Sequence, residues 1–206
     1  MQFKILFLGE HDNHISDSEI RIYPLTSAVA ILFDGVQNVL FDTGSLAWQK
    51  QLLSGLIELG LSPDDITDVC LTHFHLDHTA NSVLFENAKI HAAKSTVDHK
   101  TGACTIYPNS DKRVLPHNIK VLPTPGHTPD HISYLFEHDG IKYCFAGDAI
   151  REDLILAGPP DYMDLVRRND FVQSQLNIFN NCEVIIPGHF GLIEGAKKAE
   201  LFKKIM

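Results

Sequence analysis

The segment VCLTHFHLDHTAN, residues 69–81, carries three histidines and an aspartate within six residues, directly after an apolar run of strand character. A strand interior cannot hold such groups cheaply, because each buried polar atom without a partner costs on the order of kilocalories. The strand must therefore end here, at an edge where something satisfies all four side chains. In an extended segment alternate side chains share a face, so His73 and His75 point to one spot. Asp77 and His78 follow as the chain turns and aim at a neighbouring spot.

The same construction recurs downstream. TPGHT presents His127, CFAGDA presents Asp148 and IIPGHF presents His189, each after an apolar run ended by glycine. Glycine before such a residue lets the backbone turn sharply and approach closely. Three more strand ends thus bring one candidate ligand each to a common edge. Imidazole and carboxylate are the donor types that zinc accepts, and a carboxylate can span two cations.

Around these motifs the pattern is mixed. FKILFLG, EIRIYPL, SAVAILFDG and QNVLFDTG read as strands, with Asp34-Gly35 as a hairpin turn, so the chain is expected to open as a β-meander. His11 and His14, in EHDNHISD, read as solvated loop residues. Residues 46–59 show helical spacing stopped by Gly60, and SPDDI reads as a helical turn capped by Ser62 with Pro63 at its first position. DVCLTH, AKIHAA, IKVLPTPG, HISYLFE, KYCFAGD and EVIIPG continue the strands, with Asp139-Gly140 as a second hairpin turn. Helices are expected within 164–180 and from about Glu194. Helices between strands point to sheets covered by helices, an α/β fold.

A chain of 206 residues suits one domain spanning 1–206. Its 44% apolar and 21% charged residues are those of a globular protein, and the net charge of −9 without a basic stripe makes nucleic acid an unexpected partner. No run approaches the roughly 18 apolar residues of a membrane span, and four widely spaced cysteines suggest no disulfide framework. A cytoplasmic setting is expected.

THFHLDH, TPGHT, AGD and PGH, in this order and spacing, resemble the signature of the metallo-β-lactamase-fold, glyoxalase II-like hydrolases, and the resemblance includes FDTG. It implies an αβ/βα four-layer sandwich with a dinuclear site at one edge. It also implies that His73, His75 and His127 bind a first metal, that Asp77, His78 and His189 bind a second, and that Asp148 bridges them. The metals would be two Zn²⁺, with Fe or Mn as other occupants, and Asp77 and Asp148 would act in catalysis as well as binding. His78 and Asp148 separate the chain from the antibiotic-degrading members. Asp42 reads as a residue that orients a ligand, with a turn-forming role as the competing reading. The resemblance also places a mobile loop near the site at His11 and His14, so overhanging the site is a second reading for them beside that of solvated loop residues; His91, His99, His117, His131 and His138 receive no role.

The resulting expectation is a dinuclear zinc hydrolase using a metal-bridging hydroxide on a small ester, thioester or lactone. Arg151 and Tyr162 are the candidates for touching that substrate. A phosphodiesterase or nuclease is the first alternative, opposed by the acidic charge and by the lack of length for an extra nucleic-acid grip. A persulfide dioxygenase using one iron is the second, and a non-catalytic binding module, opposed by the intact ligand set, is the third. Oligomeric state is not legible in the sequence.

Overall fold

The computed structural model describes residues 1–15, 20–158 and 164–206. In chain order its elements are β1 (Gln2–Phe7), β2 (Glu10–Ile15), β3 (Ile20–Thr26), β4 (Val29–Phe33), β5 (Asn38–Phe41), α1 (Gln49–Glu58), β6 (Asp68–Cys70), α2 (Leu76–Thr79), β7 (Lys89–Ala92), β8 (Ser95–Asp98) and β9 (Cys104–Ile106). They continue with β10 (Lys120–Pro123), β11 (Ile132–His138), β12 (Ile141–Gly147), α3 (Glu152–Ala157), α4 (Leu165–Asn181), β13 (Val184–Pro187) and α5 (Gly195–Ile205).

Seven strands form one sheet in the order β1-β4-β5-β6-β7-β8-β9, and four form another in the order β10-β11-β12-β13. Their facing surfaces bury Ala30, Leu32, Phe41 and Cys70 against Val121, Tyr134, Phe145 and Ile186. The Phe41 ring stacks on Phe136 at 5.2 Å and on Phe145 at 5.3 Å, which joins the two sheets through aromatic contacts. The alternate residues Ile31, Leu40, Val69 and Ile90 point outward and are covered by Leu52 and Leu56 of α1. On the far side Cys144, Ala146 and Ile185 pack with Ile178 and Phe179 of α4 and Leu201 of α5. Strands covered on both faces explain the nearly unbroken apolar runs in the sequence. The layers are therefore helix, sheet, sheet, helix, the αβ/βα sandwich.

Some elements depart from the sequence reading. The opening meander is interrupted, because β2 and β3 pair with each other as a separate two-stranded sheet, while β1 pairs antiparallel with β4. EHDNHI is thus a strand, although it lacks apolar alternation; backbone pairing holds it. The short strands β8 and β9 and the helix α3 also have no clear sequence signature. The turn at Ser62 follows the expected form, with Asp65 Oδ2 accepting from the Ser62 backbone N–H at 2.8 Å and from its hydroxyl at 2.7 Å.

Sheet direction positions the site. Strands β5, β6 and β7 run parallel, as do β12 and β13, so the segments after β5, β6, β12 and β13 leave the sheets in register with their neighbours. Backbone bonds then tie these exits together: Asp42 N to Cys70 O, Thr43 N to His78 O, Ile132 N to Thr72 O, and Gly188 N to Gly147 O, all between 2.8 and 3.0 Å.

Candidate metal centre

Strand exits at this edge deliver His73, His75, Asp77 and His78 after β6, His127 after β10, Asp148 after β12 and His189 after β13. Three groupings of their ligand atoms lie within 4.8 Å of one another: His73 with His75 and His127; His73 with His78 and Asp148; and Asp77 with His78 and His189. All seven expected residues therefore converge, in two clusters joined by one carboxylate. Asp148 Oδ1 lies 3.3 Å from both His78 Nε2 and His189 Nε2, while its Oδ2 lies 3.4 Å from His127 Nε2.

The donor geometry fits cations. His75 Nδ1 faces His73 Nε2 at 2.9 Å and His127 Nε2 at 3.0 Å. Three ring nitrogens so close cannot all be satisfied by shared protons, whereas a tetrahedral zinc with Zn–N near 2.0–2.1 Å sets its donors about 3.3 Å apart. His78 Nε2 and Asp148 Oδ1 are buried and have no hydrogen-bond partner. A native structure rarely leaves such atoms unpaired, and a bound cation would supply the missing interaction.

Asp42 controls both clusters. It is fully buried, with a backbone φ of 49°, and accepts from Thr72 N at 2.8 Å, Thr72 Oγ1 at 2.9 Å and His78 Nδ1 at 2.7 Å. Because the Thr72 hydroxyl donates to Asp42, it accepts from His73 Nδ1 at 3.1 Å. One carboxylate thus fixes the tautomers of His78 directly and of His73 through Thr72, turning each Nε2 toward the cluster. His189 is set in the same way by the Glu10 carbonyl, which accepts from its Nδ1 at 3.2 Å.

Electrostatics differ between the halves. Burial and the neighbouring imidazoles push His73 far below the usual histidine range, and burial lowers His127 to about 4 against the pull of Asp148. Both present neutral nitrogens at neutral pH. Burial also opposes charge on His189, but Asp148 and Asp77 outweigh it and raise the group to about 9. Burial pushes the Asp148 carboxyl up, yet His189 and His78 prevail and hold it well below the carboxylate range.

Gly188 shows why glycine precedes His189. A Cβ there would stand 2.1 Å from Asp148 Oδ1 and 2.9 Å from His78 Cε1, inside the cluster.

The profile of the metallo-beta-lactamase superfamily matches residues 23–189, which span every one of these groups except the N-terminal strands. The chain belongs to the metallo-beta-lactamase superfamily. It is 29% identical over 157 residues to "Probable metallo-hydrolase MJ0296" of Methanocaldococcus jannaschii, covering 75% of this chain and 72% of that one. It is 30% identical over 172 residues to the atrochrysone carboxyl ACP thioesterase of Passalora fulva, covering 80% of this chain and 48% of that one. Among solved structures, a candidate metallo-beta-lactamase from Thermotoga maritima superposes with a TM-score of 0.71 at 26% identity, covering 94% of this chain and 99% of that one. Superfamily membership and these relatives make the protein a metal-dependent hydrolase.

Other positions sort differently from the sequence reading. Arg151 borders the cluster, with Nη1 at 3.7 Å from Asp148 Oδ2, but its Nε and Nη2 are bonded to Asp153 at 3.0 and 2.8 Å. Tyr162 lies outside the described residues. His11, read as a solvated loop residue, is half-buried on β2 with its ring 5.1 Å from that of His189. His131, given no role, is buried with Nδ1 at 2.9 Å from Thr124 Oγ1 and its ring 5.0 Å from His73, so it backs a candidate ligand. The repeat of histidine four residues after His127 was the one available signal for it. Nothing in EHDNHI marks His11, whose position depends on strand pairing. No described helix is long and apolar enough to cross a membrane.

Proposed function

We propose that this superfamily member is a dinuclear zinc hydrolase acting on a small ester, thioester or lactone. The observation that carries the reading is Asp148, whose two oxygens face different histidine clusters while Oδ1 and His78 Nε2 are buried without partners. In this reading His73, His75 and His127 hold one cation, Asp77, His78 and His189 hold the other, and Asp148 is shared. Two such cations polarise a carbonyl oxygen and acidify water near neutral pH.

The chain's own residues do the rest. Asp42 and Thr72 keep ring protons on the Nδ1 atoms of His78 and His73, so that the Nε2 lone pairs stay directed at the cluster. Asp77 and Asp148 supply negative charge that offsets the cations. Arg151, held by Asp153, places positive charge beside the reacting face. Relatives described as a thioesterase and as hydroxyacylglutathione hydrolases support an acyl substrate, although the chain spans only 48% and 34% of the lengths of those matched. The net charge of −9 supports a small substrate over a polynucleotide.

The test is elemental analysis of protein purified without chelator, followed by a panel of thioesters, lactones and aryl esters with single-stranded RNA as counter-substrate. About two zinc per chain with metal-dependent cleavage of an acyl substrate is expected. One iron per chain with oxygen consumption on a persulfide, or RNA cleavage abolished by His75→Ala with the acyl panel untouched, overturns the reading.

A further inference from the structure

The larger sheet has seven strands and the smaller has four, so part of the larger sheet's inner face meets no strand. Cys70 belongs to the core between the sheets, and its register partner His91 continues that face toward β9. There the opposite wall is the segment 114–116, and the two walls enclose a pocket of about 500 Å³. Its lining holds no residue of the smaller sheet and none of the metal centre. Strand register lays two polar rows across the floor: Asp68, Lys89 and Asp98 on β6, β7 and β8, and His91, Thr96 and Thr105 on β7, β8 and β9. Registered neighbours, and residues two apart on one strand, share a face, so both rows line the pocket.

The buried members of these rows are held in place from behind. Asp68 Oδ1 accepts from His91 Nε2 at 2.7 Å, and its Oδ2 accepts from the Thr67 hydroxyl at 2.8 Å. With its Nε2 proton so used, the neutral His91 ring accepts at Nδ1 from the Thr96 hydroxyl at 2.8 Å, which leaves the Thr96 oxygen able to accept from a ligand. Asp98 is fixed by the Thr101 backbone N–H, which donates to its Oδ1 at 2.8 Å. Thr105, exposed on the edge strand, offers a hydroxyl that both donates and accepts. Lys89 stands between the two carboxylates in register, and among the described residues it closes an ion pair with neither. Tyr107 adds an aromatic wall, and the buried Arg113 places its guanidinium carbon 5.3 Å from that ring's centroid.

We infer that this pocket is a second binding site, independent of the metal centre and of the hydrolase reading, for a neutral polyhydroxylated molecule of monosaccharide size. Lys89 and Arg113 offset Asp68 and Asp98, so the pocket favours neither an anion nor a cation. A sugar hydroxyl donates and accepts at once, and a row of carboxylate, ammonium and carboxylate needs that double capacity: the hydroxyl donates to an aspartate and accepts from Lys89. Further hydroxyls donate to the Thr96 oxygen and bond Thr105, while the Tyr107 ring covers the C–H surface. Neighbouring strands lie about 4.8 Å apart, which sets successive partners within reach of hydroxyls on one six-membered ring. The volume suits such a ligand, since small-molecule sites begin at roughly 300 Å³.

The experiment titrates nitrogen-15-labelled protein, as purified, with glucose, ribose and myo-inositol, and with putrescine and inorganic phosphate as charged controls, following the backbone amide shifts. At least one polyol is expected to move amides of residues 96–98 and 104–107 saturably, with a dissociation constant in the low-millimolar range usual for so small a ligand, and to leave residues 73–78 and 189 unmoved. Thr105→Val keeps the β-branched shape that suits a strand and removes only the hydroxyl, and Lys89→Met keeps the chain length and removes the charge. Each is expected to weaken polyol binding by about 3- to 10-fold, the worth of one hydrogen bond, with metal content and turnover at the metal centre unchanged. Polyols that move no pocket amide, a charged control that binds there in their place, or wild-type affinity in both variants overturns the inference. Loss of binding in the variants with metal content intact supports it, whatever the substrate of the metal centre proves to be.

Discussion

Replacement of Asp42 separates support of the fold from support of the metal site. In Asp42→Ala three donors lose their acceptor at a position with no solvent exposure: Thr72 N–H, the Thr72 hydroxyl and His78 Nδ1–H. The Thr72 hydroxyl oxygen can accept from His78 Nδ1–H, which lies 3.4 Å away, so two donors, Thr72 N–H and the hydroxyl hydrogen, are left truly unpaired. At about 1–3 kcal/mol each, the expected destabilisation is about 2–6 kcal/mol. Asp42→Asn behaves differently. Its remaining oxygen can still accept from the Thr72 backbone, but its amide N–H₂ confronts His78 Nδ1–H, donor against donor. The proton then moves to His78 Nε2, the atom facing Asp148 at 3.3 Å, and blocks the lone pair that a cation needs. Asn is therefore expected to cost less stability than Ala while weakening zinc affinity by about 10- to 100-fold, the usual range for a group that orients a metal-binding histidine.

Thermal melts with and without zinc give the stability change, and competition with a chromophoric chelator gives the affinity. Wild-type zinc affinity in Asp42→Asn refutes the tautomer argument. Asp42 would then be a turn residue, whose loss lowers stability only.

Gly188→Ala is expected to abolish metal retention, because its Cβ would fall 2.1 Å from Asp148 Oδ1; full zinc content by elemental analysis contradicts this. Asp148→Asn keeps the side chain's size but removes its charge, so lowered zinc occupancy and loss of turnover with an unchanged circular dichroism spectrum are expected; normal activity rules out a shared carboxylate. Zinc at a thousandfold excess over its dissociation constant stabilises by about 4 kcal/mol, so chelation is expected to lower the melting temperature by roughly 8–16 °C for a chain of this size. An unmoved melting curve argues against tight binding by the folded state.

The residues that converge were legible because four of them crowd into the six residues that follow one apolar run, and His127, Asp148 and His189 each follow a glycine after another, local arrangements with few other uses. HFHLDH, PGH and AGD name their own positions, and burial on both faces of the strands marks the sandwich through unbroken apolar stretches such as VAILF. The tertiary structure alone decided how those positions act on one another. Asp42 and His78 are 36 residues apart and His189 and Glu10 are 179 apart, yet each pair shares a hydrogen bond that sets a tautomer. The strand EHDNHI has no apolar alternation because backbone pairing with β3 and the close approach of Gly9 to Gly188 hold it, so its sequence could not announce that His11 stands beside the cluster. Local spacing fixes which way a side chain leaves its own strand, whereas the partner it meets is set by packing between distant segments, a property no short stretch of sequence contains.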